Sequence, residues 1–84
     1  MGYINIIWDL DDDPDGNVQH IAEHDLTKDE VEEVLNDPER RGTSRSSGLP
    51  VAFGMTSTQR YIAVVFQEID SDSAKPVTAF EIDE

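Results

Sequence analysis

The apolar residues of this chain fall into short runs whose spacing switches between that of strands and that of helices. Residues 3–8 (YINIIW) are rich in β-branched and aromatic side chains and predict a first strand. The DLDDDPDG that follows, punctuated by Pro14 and Gly16, predicts a turn. Val18, Ile21 and Ala22 then stand at i, i+3 and i+4, which predicts a short helix over 17–23 with that stripe inward. At the helical pitch His20 and His24 fall on its opposite side. Thr27-Lys-Asp-Glu30 spells a capping box and starts a second helix. Val31, Val34 and Leu35 are its expected buried face, Glu32 and Glu33 its solvated face, and Asn36-Asp37-Pro38 its end.

Residues 42–50 (GTSRSSGLP) read as a polar loop or a ragged edge strand, and 51–56, 61–68 and 77–82 as three further strands. A hairpin turn is expected at 57–59 and a longer polar one over 70–76. The run YIAVVF at 61–66 is apolar on both faces, which predicts the central strand. Trp8 and Phe66 are expected as packing residues. The order is β-α-α-β-β-β. It predicts an α+β domain in which two short helices pack on one face of a small, mostly antiparallel four-stranded sheet. At 84 residues the whole chain, 1–84, is one domain with a small core.

Charge changes this picture. The formal net charge of −13 argues against general affinity for nucleic acid or anionic lipid, and no DNA contact is expected for the isolated chain. Yet residues 40–67 contain no carboxylate and hold Arg40, Arg41, Arg45 and Arg60, whereas the rest carries all 19 carboxylates beside Lys28 and Lys75. Such asymmetry marks a face that meets a partner, or arginines that balance carboxylates within the fold; for Arg40, Arg41 and Arg45, a place after the second helix also suits the dipole at its C-terminus. There is no cysteine, no apolar run of membrane-spanning length and no signal-peptide pattern at the start, so a cytoplasmic protein without membrane contact is expected.

Candidate chemistry is sparse. His20-Ile-Ala-Glu23-His24 has the spelling H-x-x-E-H of an inverted zinc-protease helix. A catalytic zinc needs a third protein ligand and a substrate cleft, for which so short a chain has little room, so the expectation is two surface histidines and no metal. Asp11, Asp12 and Asp13 lack the order of an EF-hand loop. The glycines and serines of 42–48 lack the phosphate-cradling G-x-x-x-x-G-K-[ST], and no G-x-S-x-G elbow presents a serine nucleophile.

Four pieces in order carry a further signal: Trp8-Asp9 closing the first strand, Glu23-His24-Asp25-Leu26 after the first helix, Asp37-Pro38 after the second, and Gly54-Met-Thr-Ser57 feeding Arg60 and the apolar strand. In this the chain resembles the BrnT-like branch of the RelE/ParE toxin superfamily. The resemblance implies a RelE-like fold and a small endoribonuclease, held inactive by a cognate antitoxin, that cuts RNA without metal or cofactor. It does so by positioning the 2′-hydroxyl for in-line attack and stabilising phosphate charge with cations. Arg60 matches the strand-leading arginine of that family and is its implied phosphate binder. His24 matches the histidine after the first helix and is the implied proton carrier. Arg40, Arg41 and Arg45 would steer the RNA. Read from the residues alone, Arg60 is either a phosphate contact or a hairpin charge. Where such chains carry a basic Ser-Ala-Arg-Arg strand, this one has Thr78-Ala-Phe80-Glu81. That difference supports a second reading: a catalytically inactive relative that acts as a protein-interaction module, its basic segment docking an acidic partner.

Overall fold

The structure, a computed structural model, describes residues 3–82. Its elements are β1 (Asn5–Ile6), α1 (Asn17–Glu23), α2 (Lys28–Asn36), β2 (Arg40–Thr43), β3 (Pro50–Met55), β4 (Tyr61–Asp70) and β5 (Ser73–Glu81). The fold is α+β. Its sheet, however, has five strands, in the order β1-β5-β4-β3-β2, and is mixed, because β1 runs parallel to β5 while the other pairs are antiparallel.

The fifth strand, β2, lies in and just before the stretch that the sequence leaves open between loop and edge strand. All four of its residues are exposed, so no apolar alternation announces it; backbone pairing with β3 makes it a strand. The first strand is shorter than the apolar run 3–8 suggests, since β5 offers it partners only at Ser73 and Ala74. The expected long turn over 70–76 is also shortened. Strand β4 runs on to Asp70 and β5 starts at Ser73, with Asp72 N–H bonded to the Asp70 carboxylate at 2.9 Å. The polar residues at the end of β4 are solvent-facing strand positions.

Helix α2 forms for the reasons its sequence gives. Thr27 accepts the Glu30 N–H, Glu30 accepts the Thr27 N–H, and Val31, Val34 and Leu35 are buried. Thr27→Ala is expected to cost about 1 kcal/mol in denaturant unfolding. Helix α1 ends in a Schellman motif: Leu26 N–H reaches the Ile21 carbonyl and Asp25 N–H the Ala22 carbonyl, both at 3.0 Å. Asp25 takes the left-handed conformation (φ 61°) that this ending requires, and Leu26 and Ile21 are both buried.

The inward stripe expected for α1 holds only at Ile21; Val18 is half-buried and Ala22 exposed. The histidines lie at the surface as expected, His24 exposed and His20 half-buried, but both touch β5. His20 Nδ1 donates to the Val77 carbonyl at 3.3 Å, and the His24 ring lies 6.4 Å from that of Phe80. The reason is that α1 packs along β5, which brings both rings to that strand.

The main core lies between the helices and the sheet and includes Ile21, Val31, Leu35, Ile62, Val64 and Phe66. Tyr3 packs edge-on to Phe66 at 5.1 Å, and Trp8 is half-buried against the same core. Strand β4 is central and buried on both faces. Its other face contributes Ala63 and Val65 to a second cluster with Val51, Leu49, Phe53 and Ile82. No helix among the described residues is long and apolar enough to cross a membrane.

Candidate functional site

Two places bear on function, a charged corner where the helices meet the β3–β4 hairpin and a groove on the helix-free face of the sheet. At the corner, Arg60 leads into β4 and its guanidinium is held from three sides. Nη1 donates to the Asp25 carbonyl at 2.7 Å and lies 3.5 Å from Glu30 Oε1, while Nη2 meets Glu81 Oε1 at 3.3 Å. The Schellman ending of α1 brings the Asp25 carbonyl here, and the pairing of Ile62 with Glu81 brings the carboxylate. The Arg60 side chain is 23% exposed.

Glu30 is the hub of this corner. It closes the capping box of α2, accepts the Thr58 hydroxyl at 2.6 Å and faces Arg60, at 5% exposure. Burial pushes its carboxyl up, but the Thr58 hydroxyl, the Thr27 N–H and the Arg60 charge together outweigh burial and hold it below the ordinary 4.5. Its neighbours on α2 are hydrogen-bonded as well: Glu33 is exposed, as expected of a solvated face, and Glu32 half-buried. Glu33 accepts the Ser57 N–H and hydroxyl, and Glu32 accepts the Trp8 indole N–H at 2.7 Å. Three carboxylates at i, i+2 and i+3 therefore clasp the hairpin turn and the segment that follows β1.

Of the two residues nominated from sequence as catalytic, Arg60 contacts the carbonyl of Asp25, the residue after His24, while the His24 ring lies against Phe80. The nominated RNA-steering arginines do not join Arg60. Neighbours on a strand point to opposite faces, so Arg40 and Arg41 diverge. Arg40 stacks over Phe53 at 5.1 Å and donates to the Tyr61 hydroxyl at 3.3 Å, whereas Arg41 lies over the Tyr3 ring at 5.5 Å. Arg45 is exposed in the β2–β3 turn. Burial raises the Tyr3 phenol, and the Glu68 carboxylate that accepts its hydroxyl adds to the shift against the opposing pull of Arg41.

The groove was not foreseen. It has a volume of about 520 Å³ and an apolar floor of Leu49, Val51, Phe53, Val65, Val77 and Phe80, rimmed by hydroxyls of the β2–β3 turn. None of its lining residues is acidic. The helix-free face of an antiparallel sheet is usually polar, which makes an apolar concavity here a candidate binding surface. The acid-free run 40–67 was its one sequence signal; the alternation of Val51, Phe53, Ala63 and Val65 gives a face but not its exposure.

A smaller cleft beside the N-terminus of α1 is bounded by Asp9, Asn17, His20 and Lys75. The Asn17 N–H holds the Asp9 carboxyl low against the opposing effect of burial, helped by Lys75 at 3.3 Å and by His20. Sequence reading missed Asn17, which is buried at the start of α1. Among the described residues, no three His, Asp or Glu side chains gather in a way that would hold a metal ion. Comparison with protein-family models, with curated proteins and with solved structures gives no match.

Proposed function

We propose that this chain is a catalytically silent, RelE-like protein-interaction module, related to BrnT-type toxins, whose acid-free sheet face docks an acidic partner protein. The observation that carries this reading is the groove: an apolar, carboxylate-free concavity on a chain of formal charge −13. Apolar burial supplies affinity there, and the absence of acids around it lets a negatively charged partner approach. The Arg60 environment supports silence. A phosphate binder must offer its fork to the substrate, and this fork is already shared among a carbonyl and two carboxylates. A phosphate placed there would also meet the negative charge of Glu30 and Glu81.

The toxin-type ribonuclease is the second reading, and it is favoured by the contact of Arg60 with the carbonyl of Asp25, the residue after His24. In that case Arg60 would contact the phosphate, His24 would exchange the proton, and a cognate antitoxin would cover the site. The test is RNA cleavage by purified protein in EDTA, beside Arg60→Ala. No cleavage above background by either protein is expected. Cleavage that survives EDTA and drops about tenfold in Arg60→Ala, or about 1.4 kcal/mol of barrier, would overturn the silent-module reading and establish a metal-free ribonuclease.

A further inference from the structure

The chain carries, on another part of its surface, the chemistry that its groove would accept. Leu10 and Ile4 are each 76% exposed and Ile7 40%, and they flank or lead into Asp9 and the aspartates 11–13. Leu10 opens a tight turn, its carbonyl accepting the Asp13 N–H at 3.1 Å, so an exposed leucine projects beside Asp11 and Asp12. Asp12, Asp13 and Asp15 make no ion pair among the described residues. The segment cannot fold back into its own groove. Gln19 Nε2 donates to the Asp11 carbonyl at 2.5 Å and Lys28 Nζ meets the Asp11 carboxylate at 2.7 Å, which ties the turn to the two helices covering the other face.

We propose that a second copy of this chain docks head-to-tail, the Leu10 turn of one molecule entering the sheet groove of the next. This deepens the docking reading above and rests on it. Leu10 fills the floor between Phe53, Val77 and Phe80, and the aspartates around it face Arg45, which lies between the groove-lining Ser44 and Ser46 and makes no ion pair among the described residues. Complementary charge at the contact persists at physiological ionic strength. Repulsion between the remaining acids of the two copies is largely screened there, where the Debye length is about 8 Å. Because the two surfaces differ, each docked copy leaves one groove and one turn open, so the contact builds rings or chains rather than a closed dimer.

Sedimentation velocity at physiological salt tests this with the protein alone. The wild type is expected to shift with concentration to species beyond a dimer. Leu10→Ser, a change at an exposed position that leaves the core intact, and Arg45→Glu should each weaken association about tenfold or more. Phe80→Ser, which opens the groove floor, should do the same. The decisive arm is mixing: Leu10→Ser and Phe80→Ser each stay monomeric alone, yet together form a one-to-one dimer and stop there, since one keeps the groove and the other the turn. A wild type that remains monomeric up to millimolar concentration overturns the proposal. So does a wild type that stops at a dimer which the mixed variants fail to restore, the signature of two grooves packed face to face. A monomer overturns the self-contact alone, whereas RNA cleavage in EDTA overturns the silent-module reading alone, so the two failures are distinguishable.

Discussion

Replacing Glu30 with alanine is expected to lower the unfolding free energy by about 3–4 kcal/mol and the melting temperature by roughly 15 °C. The loss is large because one carboxylate serves three elements. It accepts the Thr27 N–H at the start of α2 and the Thr58 hydroxyl in the hairpin turn, and it faces the Arg60 guanidinium. Alanine removes the one acceptor that these donors share, at a position where the native carboxylate is 5% exposed, and donors that lose a partner at a part-buried site are expensive. Small domains of this size hold only about 5–15 kcal/mol in total, so this variant is close to the threshold of folding. Glu30→Gln keeps the shape and one acceptor oxygen and should lose roughly half as much.

The same carboxyl sets an acid limb. Its pKa is depressed in the fold, so the unfolded chain binds the proton more readily. The stabilisation is complete above the ordinary value of 4.5 and is lost as pH falls through the lower folded value. Denaturant melts of wild type and Glu30→Gln should therefore converge as the pH is lowered through and below that range. A constant gap between them would show that the charge of Glu30 is immaterial.

Asn17→Ala is expected to cost about 2–4 kcal/mol by chemical denaturation. Asn17 is 3% exposed and uses its whole amide: Nδ2 donates to the Ile7 carbonyl at 3.1 Å and to the Pro76 carbonyl at 2.8 Å, while Oδ1 accepts the Asp9 N–H at 2.9 Å. These bonds join the end of the first strand, the start of α1 and the middle of β5. They also satisfy backbone groups where β1 leaves its short pairing with β5. Asn17→Asp is the informative control. It keeps the acceptor but turns the donor into an oxygen facing two carbonyls, so it should be about as damaging as alanine. If Asn17→Asp proves as stable as wild type, the amide does not hold this junction.

Part of this molecule was legible in its residues. The capping box of α2 and its buried Val31, Val34 and Leu35 follow from spacing alone, because a helix presents i, i+3 and i+4 to one side whatever it packs on. The central place of β4 follows from an unbroken apolar run, since a strand apolar on both faces must be covered on both. Beyond that, positions acquired meaning from partners distant along the chain. Glu32 and Glu33 acquire hydrogen-bond partners only when Trp8 and the 57–59 turn arrive beside them. His20 and His24 face outward on a helical wheel, yet meet β5 because α1 lies along that strand. Strand β2 has no pattern of its own and exists through its pairing with β3.

The sequence by itself determined the helical pair, the β-rich second half and the separation of charge, all of which rest on local periodicity and on the order of residues. Only the tertiary structure decided that Arg60 is shared between the Asp25 carbonyl and two carboxylates, that Arg40 and Arg41 stand on opposite faces, and that part of the acid-free run joins β5 around an apolar groove. Those outcomes depend on strand order and register, which bring together residues as far apart as Thr43 and Phe80, and no local pattern encodes such a pairing.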